Sequence, residues 1–315
     1  MEFKHTSVLL HETIDNLKPK NHGLYVDATF GGGGHAKYLL SKLNSGTLIG
    51  FDQDEFAIKS ARLNFADVLA NNSKPRLELV HDNFSHLNMN LVKLGYVDGI
   101  DGIYYDLGVS SPQFDQAARG FSYRFNARLD MRMDQQQSLD AYQLINNSSQ
   151  KELANILYKY GDEKFSRQIA SKIVIRRQAK PIETTFELVE VIKEAIPAYA
   201  RRSGGHPAKK TFQALRVAVN HELEVLEQSL EEAIKLLKPK GRISVITFQS
   251  DEDKIVKKIF KKYSEVEVPR GMPMIPDSMK PTLRLINRKP IVASTKELEN
   301  NNRSHSAKLR IAEKL

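Results

Sequence analysis

Residues 24–36 read Leu-Tyr-Val-Asp-Ala-Thr-Phe-Gly-Gly-Gly-Gly-His-Ala, and residues 48–54 read Leu-Ile-Gly-Phe-Asp-Gln-Asp. The first stretch is a short apolar strand ending on Asp27, a turn of glycines from Gly31 to Gly34, and the start of a helix at His35. The second is another apolar strand with Asp52 at its tip. Glycines in such a turn let the backbone approach a nucleotide-like ligand where a Cβ would intrude. A carboxylate roughly 20 residues on is placed to receive two ribose hydroxyls. Four glycines could be only a flexible loop. Their place between a strand and the apolar positions Tyr38, Leu39, Leu40 and Leu43 favours a ligand cradle.

The ligand is less determined. Gly31, Gly33 and Ala36 fit a G-x-G-x-x-A fingerprint, so a nicotinamide cofactor is open. A P-loop fails, because Ala36-Lys37-Tyr38 stands where Gly-Lys-Ser/Thr is required. Asp27 favours S-adenosylmethionine. A carboxylate just before the turn repels a pyrophosphate but suits an ammonium and a sulfonium.

The 315 residues hold no cysteine, which removes disulfides, thiolate metal sites and a cysteine nucleophile. That narrows the chemistry, since methylation at carbon 5 of a pyrimidine normally goes through a covalent cysteine adduct, which this chain cannot form. No apolar run reaches the roughly 18 residues of a membrane span, and the N-terminus lacks a signal-peptide core, so a cytoplasmic protein with no membrane partner is expected. Neither His11-Glu12 nor His221-Glu222 has the second histidine of a zinc helix, so no metal is expected. The net charge of +9 points to a polyanionic partner, nucleic acid before membrane. The excess is strongest near the C-terminus, as in residues 254–262 and 284–289.

Further strands are expected at 76–82 and 101–108, with amphipathic helices around 56–69 and 87–94 between them. Asp27, Asp52, Asp82 and Asp106 then end strands on one edge of a parallel sheet, where such sheets bind ligands. From Ser111 to about His206 only helices are evident. Ser138 reads as an N-cap. Gly161 reads as a C-cap. Residues 162–178 read as a helix with acid in its first turn and base in its last. A single long helix is expected over about 211–237, then a strand at 242–248, a polar loop at 290–306 and a closing strand or helix. The division is 1–110 with 208–315 as one discontinuous domain and 111–207 as a helical insertion.

Asp106-Leu-Gly-Val-Ser-Ser-Pro-Gln113 carries the chemistry. A strand-tip carboxylate followed by hydroxyl and amide groups suits an amino-methyltransferase, since hydrogen bonds accepted from an exocyclic N–H orient the nitrogen lone pair. The turn could instead only cap a helix. It is not a nucleophile elbow, because Pro112 stands where glycine is required.

These motifs, with residues 5–12, Arg119-Gly-Phe-Ser-Tyr, Leu129-Asp-Met-Arg-Met-Asp134, 160–166, 204–216 and 306–313, resemble the bacterial MraW/RsmH family of small-subunit rRNA cytosine-N4 methyltransferases. The resemblance implies an α/β, Rossmann-type class I methyltransferase sheet with an inserted all-helical domain, S-adenosylmethionine as cofactor, and a cytidine in the decoding region of 16S rRNA or the small ribosomal subunit as substrate. It leaves a homodimer open. It places Gly33, Gly34 and His35 at the methionine end, Asp52 on the ribose, Phe84 on the adenine, and Asp106 and Gln113 beside them, joining Asp27 and Gly31 from the motif itself. Asp106, Ser110 and Pro112 are the catalytic candidates. The insertion follows directly on the turn, so Arg119, Arg132, Arg176 and Arg177, with Arg124, are expected to hold RNA. Two segments depart from the family pattern: Gln249 and Asp251 replace a histidine and a leucine, and Phe125–Arg128 replaces an Asp…Pro stretch. A nicotinamide-dependent oxidoreductase and a non-catalytic RNA-binding assembly factor are the rival readings.

Overall fold

The computed structural model describes residues 7–70, 74–202, 205–266, 276 and 280–315. They form two compact units, Met1–Gly108 with Leu223–Leu315, and Val109–Glu222.

The first unit is built on seven strands: β1 Leu24–Asp27, β2 Thr47–Asp52, β3 Arg76–His81, β4 Ile100–Asp106, β5 Leu237–Thr247, β6 Leu283–Leu285 and β7 Lys308–Lys314. Their order is β3-β2-β1-β4-β5-β7-β6. β1 to β5 pair in parallel, and β7 enters antiparallel between β5 and β6. The central strands are buried on both faces, which is why they read as unbroken apolar runs. Side chains alternate between two layers. Tyr25, Leu48 and Tyr104 pack against helices Gly34–Leu40 and Glu55–Asn64, with Leu39, Ala61 and Phe65. Val26, Ile49, Ile103 and Tyr105 pack against helices Leu87–Lys93, Glu222–Leu236 and Ser250–Ser264, with Leu91, Leu230 and Phe260. Because all parallel strands point one way, Asp27, Asp52 and Asp106 end on one edge.

The second unit packs Leu153, Leu157, Ile169, Ile173, Leu188, Ile192, Phe212 and Leu215 into one core. Its helix Gln150–Gly161 opens with a capping box of Ser149 and Glu152. Helix Thr185–Ala195 opens likewise with Thr184 and Glu187. The Leu129–Asp134 motif belongs to this core, with Leu129, Met131 and Met133 buried.

Several expectations need correction. The boundary falls at Glu222, beyond the expected 207, because helix Lys209–Val219 buries Phe212, Ala214 and Leu215 in the helical core. The single helix over 211–237 is two, Lys209–Val219 and Glu222–Leu236. Asn220 leaves the helix to bond Met133 N at 2.7 Å and Met131 O at 2.8 Å, and His221 has φ +50. Asp140, not Ser138, caps helix Ala141–Asn147 through Gln143 N. Gly161 is the last helical residue, and Asp162 takes the left-handed position after it. A Cβ on Gly161 would lie 2.5 Å from Lys210 O, so packing explains the glycine. The next helix starts at Ser166, which leaves Asp162 and Glu163 outside its first turn. Within 290–306, Thr295–Asn300 is helical.

Candidate active site

The glycines do different jobs. Gly31 (φ +49) and Gly33 (φ +73) take the left-handed conformation that makes the turn. A Cβ on Gly33 would meet the Phe65 ring at 2.5 Å, and one on Gly34 would run into the Ser7 hydroxyl. Packing inside the protein alone requires glycine at those two positions. A Cβ on Gly32 meets nothing within 4 Å, and one on Gly31 meets only Thr29 O at 3.8 Å. The open side of the cradle lies there.

Asp52 braces this turn. Its two carboxylate oxygens accept from Gly31 N and Asp54 N, each at 2.8 Å. Each oxygen keeps a lone pair, so the half-buried carboxylate can still take ribose hydroxyls. Burial raises its pKa to about 6, partly offset by those two backbone bonds. Asp54 caps the following helix through Phe56 N.

Asp27 is placed differently from its expected role. It is 1% exposed, and it accepts from Tyr104 Oη at 2.6 Å and from Thr29 N at 3.0 Å. Desolvation by burial raises its carboxyl to about 7. It supports the turn from beneath and does not face a ligand ammonium. Asp82 is likewise taken up locally, by His86 Nδ1 at 2.8 Å and Asn90 Nδ2 at 2.7 Å. Phe84 follows β3 in a single turn, half-buried, its ring edge-on to Tyr105 at 5.6 Å.

Asp106 ends β4, and its N–H is held by Thr29 Oγ1 at 2.7 Å. Its side chain is 25% exposed, and Oδ2 lies 3.6 Å from His35 Nδ1. His35 is buried, with Nε2 3.0 Å from Val8 O. Burial lowers its pKa to about 4, so the ring is neutral. Nε2–H donates to Val8, and Nδ1 presents a lone pair towards Asp106. Val8 belongs to a segment whose Leu9 N donates to Glu297 Oε1 at 2.9 Å. Thr29, Tyr104, Val8 and Glu297 were given no role from the sequence, although Thr29 and Val8 lie in the motifs at 24–36 and 5–12 and Tyr104 in the expected strand at 101–108.

In the helical unit, Gln113 Oε1 accepts from Ser110 N at 3.0 Å, and Gln113 N donates to Ser110 O at 3.2 Å. The pair closes the turn before the short helix Ser111–Asp115. The side chain of Pro112, a catalytic candidate, lies outside the described residues. Arg119 and Arg132, expected on RNA, are drawn inward. Arg119 is 6% exposed and donates to Arg132 O and Met133 O at 2.8 and 3.2 Å. Arg132 is fork-paired with Asp130 and donates to Gln135 O and Gln137 O. Arg177 donates to Ile145 O and Ser148 O. Arg176 is exposed and pairs with Glu194 at 2.8 Å. Four of the five lysines of 254–262 are also paired: Lys258 with Glu227, Lys262 with Glu231, Lys261 with Glu265 and Lys254 with Asp251.

A dinucleotide-binding sheet runs 3-2-1-4-5-6. Here an antiparallel strand is inserted before the last, and carboxylates tip β1, β2 and β4 beside an open glycine turn. The residues present fit S-adenosylmethionine: a cradle open at Gly31–Gly32, a ribose acceptor in Asp52 and the part-exposed Asp106 carboxylate for a cation. The fold and site define a class I S-adenosylmethionine-dependent methyltransferase, and the relatives of the chain give the oxidoreductase reading no support.

The chain belongs to the MraW methylase family, whose model matches residues 2–315. It is 83% identical to proteins called "Ribosomal RNA small subunit methyltransferase H" from Lactobacillus acidophilus and Lactobacillus helveticus, over all of this chain and all of each relative. A protein of the same name from Lactobacillus delbrueckii subsp. bulgaricus is 75% identical, again over the whole of both. The reading as a non-catalytic assembly factor has no support among them. No helix among the described residues is long and apolar enough to cross a membrane.

Proposed function

We propose that the chain transfers a methyl group from S-adenosylmethionine to the N4 amine of a cytidine in 16S rRNA. The observation that carries this reading is the full-length match to MraW methylases, with rRNA small-subunit methyltransferases at 83% identity. Chemistry agrees. The absence of cysteine leaves an amine acceptor open and closes the carbon-5 route. Across residues 109–222, eighteen Lys and Arg stand against twelve Asp and Glu, a surplus suited to a polyanion.

When bound, S-adenosylmethionine supplies an already activated methyl group. The protein's task is therefore alignment more than activation. Asp52 and the glycine turn orient the nucleoside end. The Asp106 carboxylate accepts a hydrogen bond from the cytidine amine and turns the nitrogen lone pair towards the methyl. Neutral His35 leaves the charge on Asp106 undiminished, where an imidazolium would blunt it. The amine needs no prior deprotonation, because its proton leaves once nitrogen has become cationic. Ser110 and Gln113 are candidates to hold the base.

Labelled methyl transfer tests the reading. The substrates are free 16S rRNA and assembled small subunits from cells lacking the protein. Transfer to either is expected. Cofactor binding without transfer to either would overturn it.

A further inference from the structure

An aromatic column runs through the helical unit from core to solvent. Phe212 is 3% exposed, Tyr123 is half-buried, and His206 is exposed. The Phe212 ring stands edge-on to Tyr123 at 5.7 Å and 89°. The His206 ring lies flat on Tyr123, with centroids 4.2 Å apart and planes within 6°. Ala208 N donates to His206 Nδ1 at 3.2 Å, which fixes the ring plane and leaves the hydrogen on Nε2. The imidazole is thus held on one face by Tyr123, and the residue is exposed.

The surroundings are cationic. Arg124 and Lys193 both act on His206 electrostatically; together with desolvation, the larger cause, they lower its pKa and keep the ring neutral. Lys193 is held by Glu190 at 2.9 Å. Arg124 is exposed, and among the described residues no carboxylate pairs with its guanidinium. A flat exposed π-face beside unspent positive charge is how proteins hold single-stranded nucleic acid: the ring takes the base and the cation takes the backbone.

We propose that the Tyr123–His206 stack is a nucleobase platform, on which an unpaired base of the RNA substrate lies against the open face of His206 with a neighbouring phosphate on Arg124. This rests on the reading of the chain as an rRNA methyltransferase. The site is distinct from the glycine turn. A neutral ring suits stacking, since every base offers a π-face, and Nε2–H adds one donor for a base carbonyl or a phosphate oxygen.

The test uses the full chain and a fluorescein-labelled 16S rRNA fragment that the wild-type protein methylates. His206→Ala should weaken RNA binding about ten-fold, as for loss of one stacked base. Thermal midpoint and S-adenosylmethionine affinity should stay unchanged. His206→Phe should restore most of the RNA affinity. The chain has no tryptophan, so His206→Trp introduces a single indole as reporter. Its emission should be quenched on adding RNA and not on adding S-adenosylmethionine. Wild-type RNA affinity in His206→Ala, or an indole indifferent to RNA, would overturn the platform while leaving the methyltransferase reading intact. Failure of the wild-type protein itself to methylate any 16S rRNA fragment would instead remove the reading beneath it.

Discussion

Asp27, Asp52 and Asp106 share one sheet edge, yet their surroundings give each a separate task. Asp27 holds its proton up to about pH 7, against 3.8 as its ordinary value. A raised folded pKa contributes stability that is complete below about pH 4 and is lost as pH rises towards 7. Asp27→Asn cannot ionise and keeps one acceptor oxygen for two donors, Tyr104 Oη and Thr29 N. Its thermal midpoint should fall less than that of wild type between pH 4 and pH 8; an equal fall would mean that Asp27 does not titrate in that range. Asp52 must be ionised to accept from two hydroxyls and two amides at once, so cofactor affinity should fall as pH drops through about 6. Asp52→Ala should weaken the cofactor by about 1.5–3 kcal/mol at neutral pH. Calorimetry measures both, and an unaltered affinity would make Asp52 structural only. Asp106→Asn keeps the shape and removes the charge. Turnover should fall sharply with cofactor affinity changed much less. The reverse pattern would make Asp106 a cofactor residue and move the catalytic role to the Ser110–Gln113 turn.

The glycine turn gives a sharp contrast between neighbours. Gly33→Ala places a Cβ against Phe65 at φ +73 and should cost roughly 1–3 kcal/mol of stability. Gly32→Ala points a methyl into open space, so the melting temperature should hold while cofactor affinity falls. If that affinity holds too, the ligand approaches elsewhere. Such distinctions were hidden from the sequence, where the four glycines look alike; their partners Ser7 and Phe65 lie far along the chain. Strands were legible because β1, β2 and β4 are buried on both faces and end in acid. The helix break at Asn220 was not, because the apolar stripe from Leu215 to Ile234 continues across it. What bends the chain there is Asn220's pair of bonds to Met131 and Met133, a requirement set 87 or more residues away.

Charge surplus is a property of the whole molecule, and the sequence located it more coarsely than it located the cofactor turn. Arginine looks the same in sequence whether its guanidinium meets phosphate or a carbonyl of its own chain. Arg119, Arg132 and Arg177 meet carbonyls, and four of the five lysines of 254–262 meet carboxylates. Arg177→Ala should therefore lower the melting temperature and leave the salt slope of RNA binding alone. Arg167 and Lys172 are exposed on helix Ser166–Ala179, and replacing both should flatten that slope by about 0.7 for each phosphate no longer neutralised. A slope unmoved by replacing that pair would place the RNA surface elsewhere. The atom that receives the methyl group defines the reaction. Deuterated methyl from S-adenosylmethionine can be followed into unmodified 16S rRNA, and the RNA digested to nucleosides for mass spectrometry. Label should appear in N4-methylcytidine and be lost in Asp106→Asn; label on carbon 5, on a ribose hydroxyl or in another base would mean that the cytidine amine is not the acceptor.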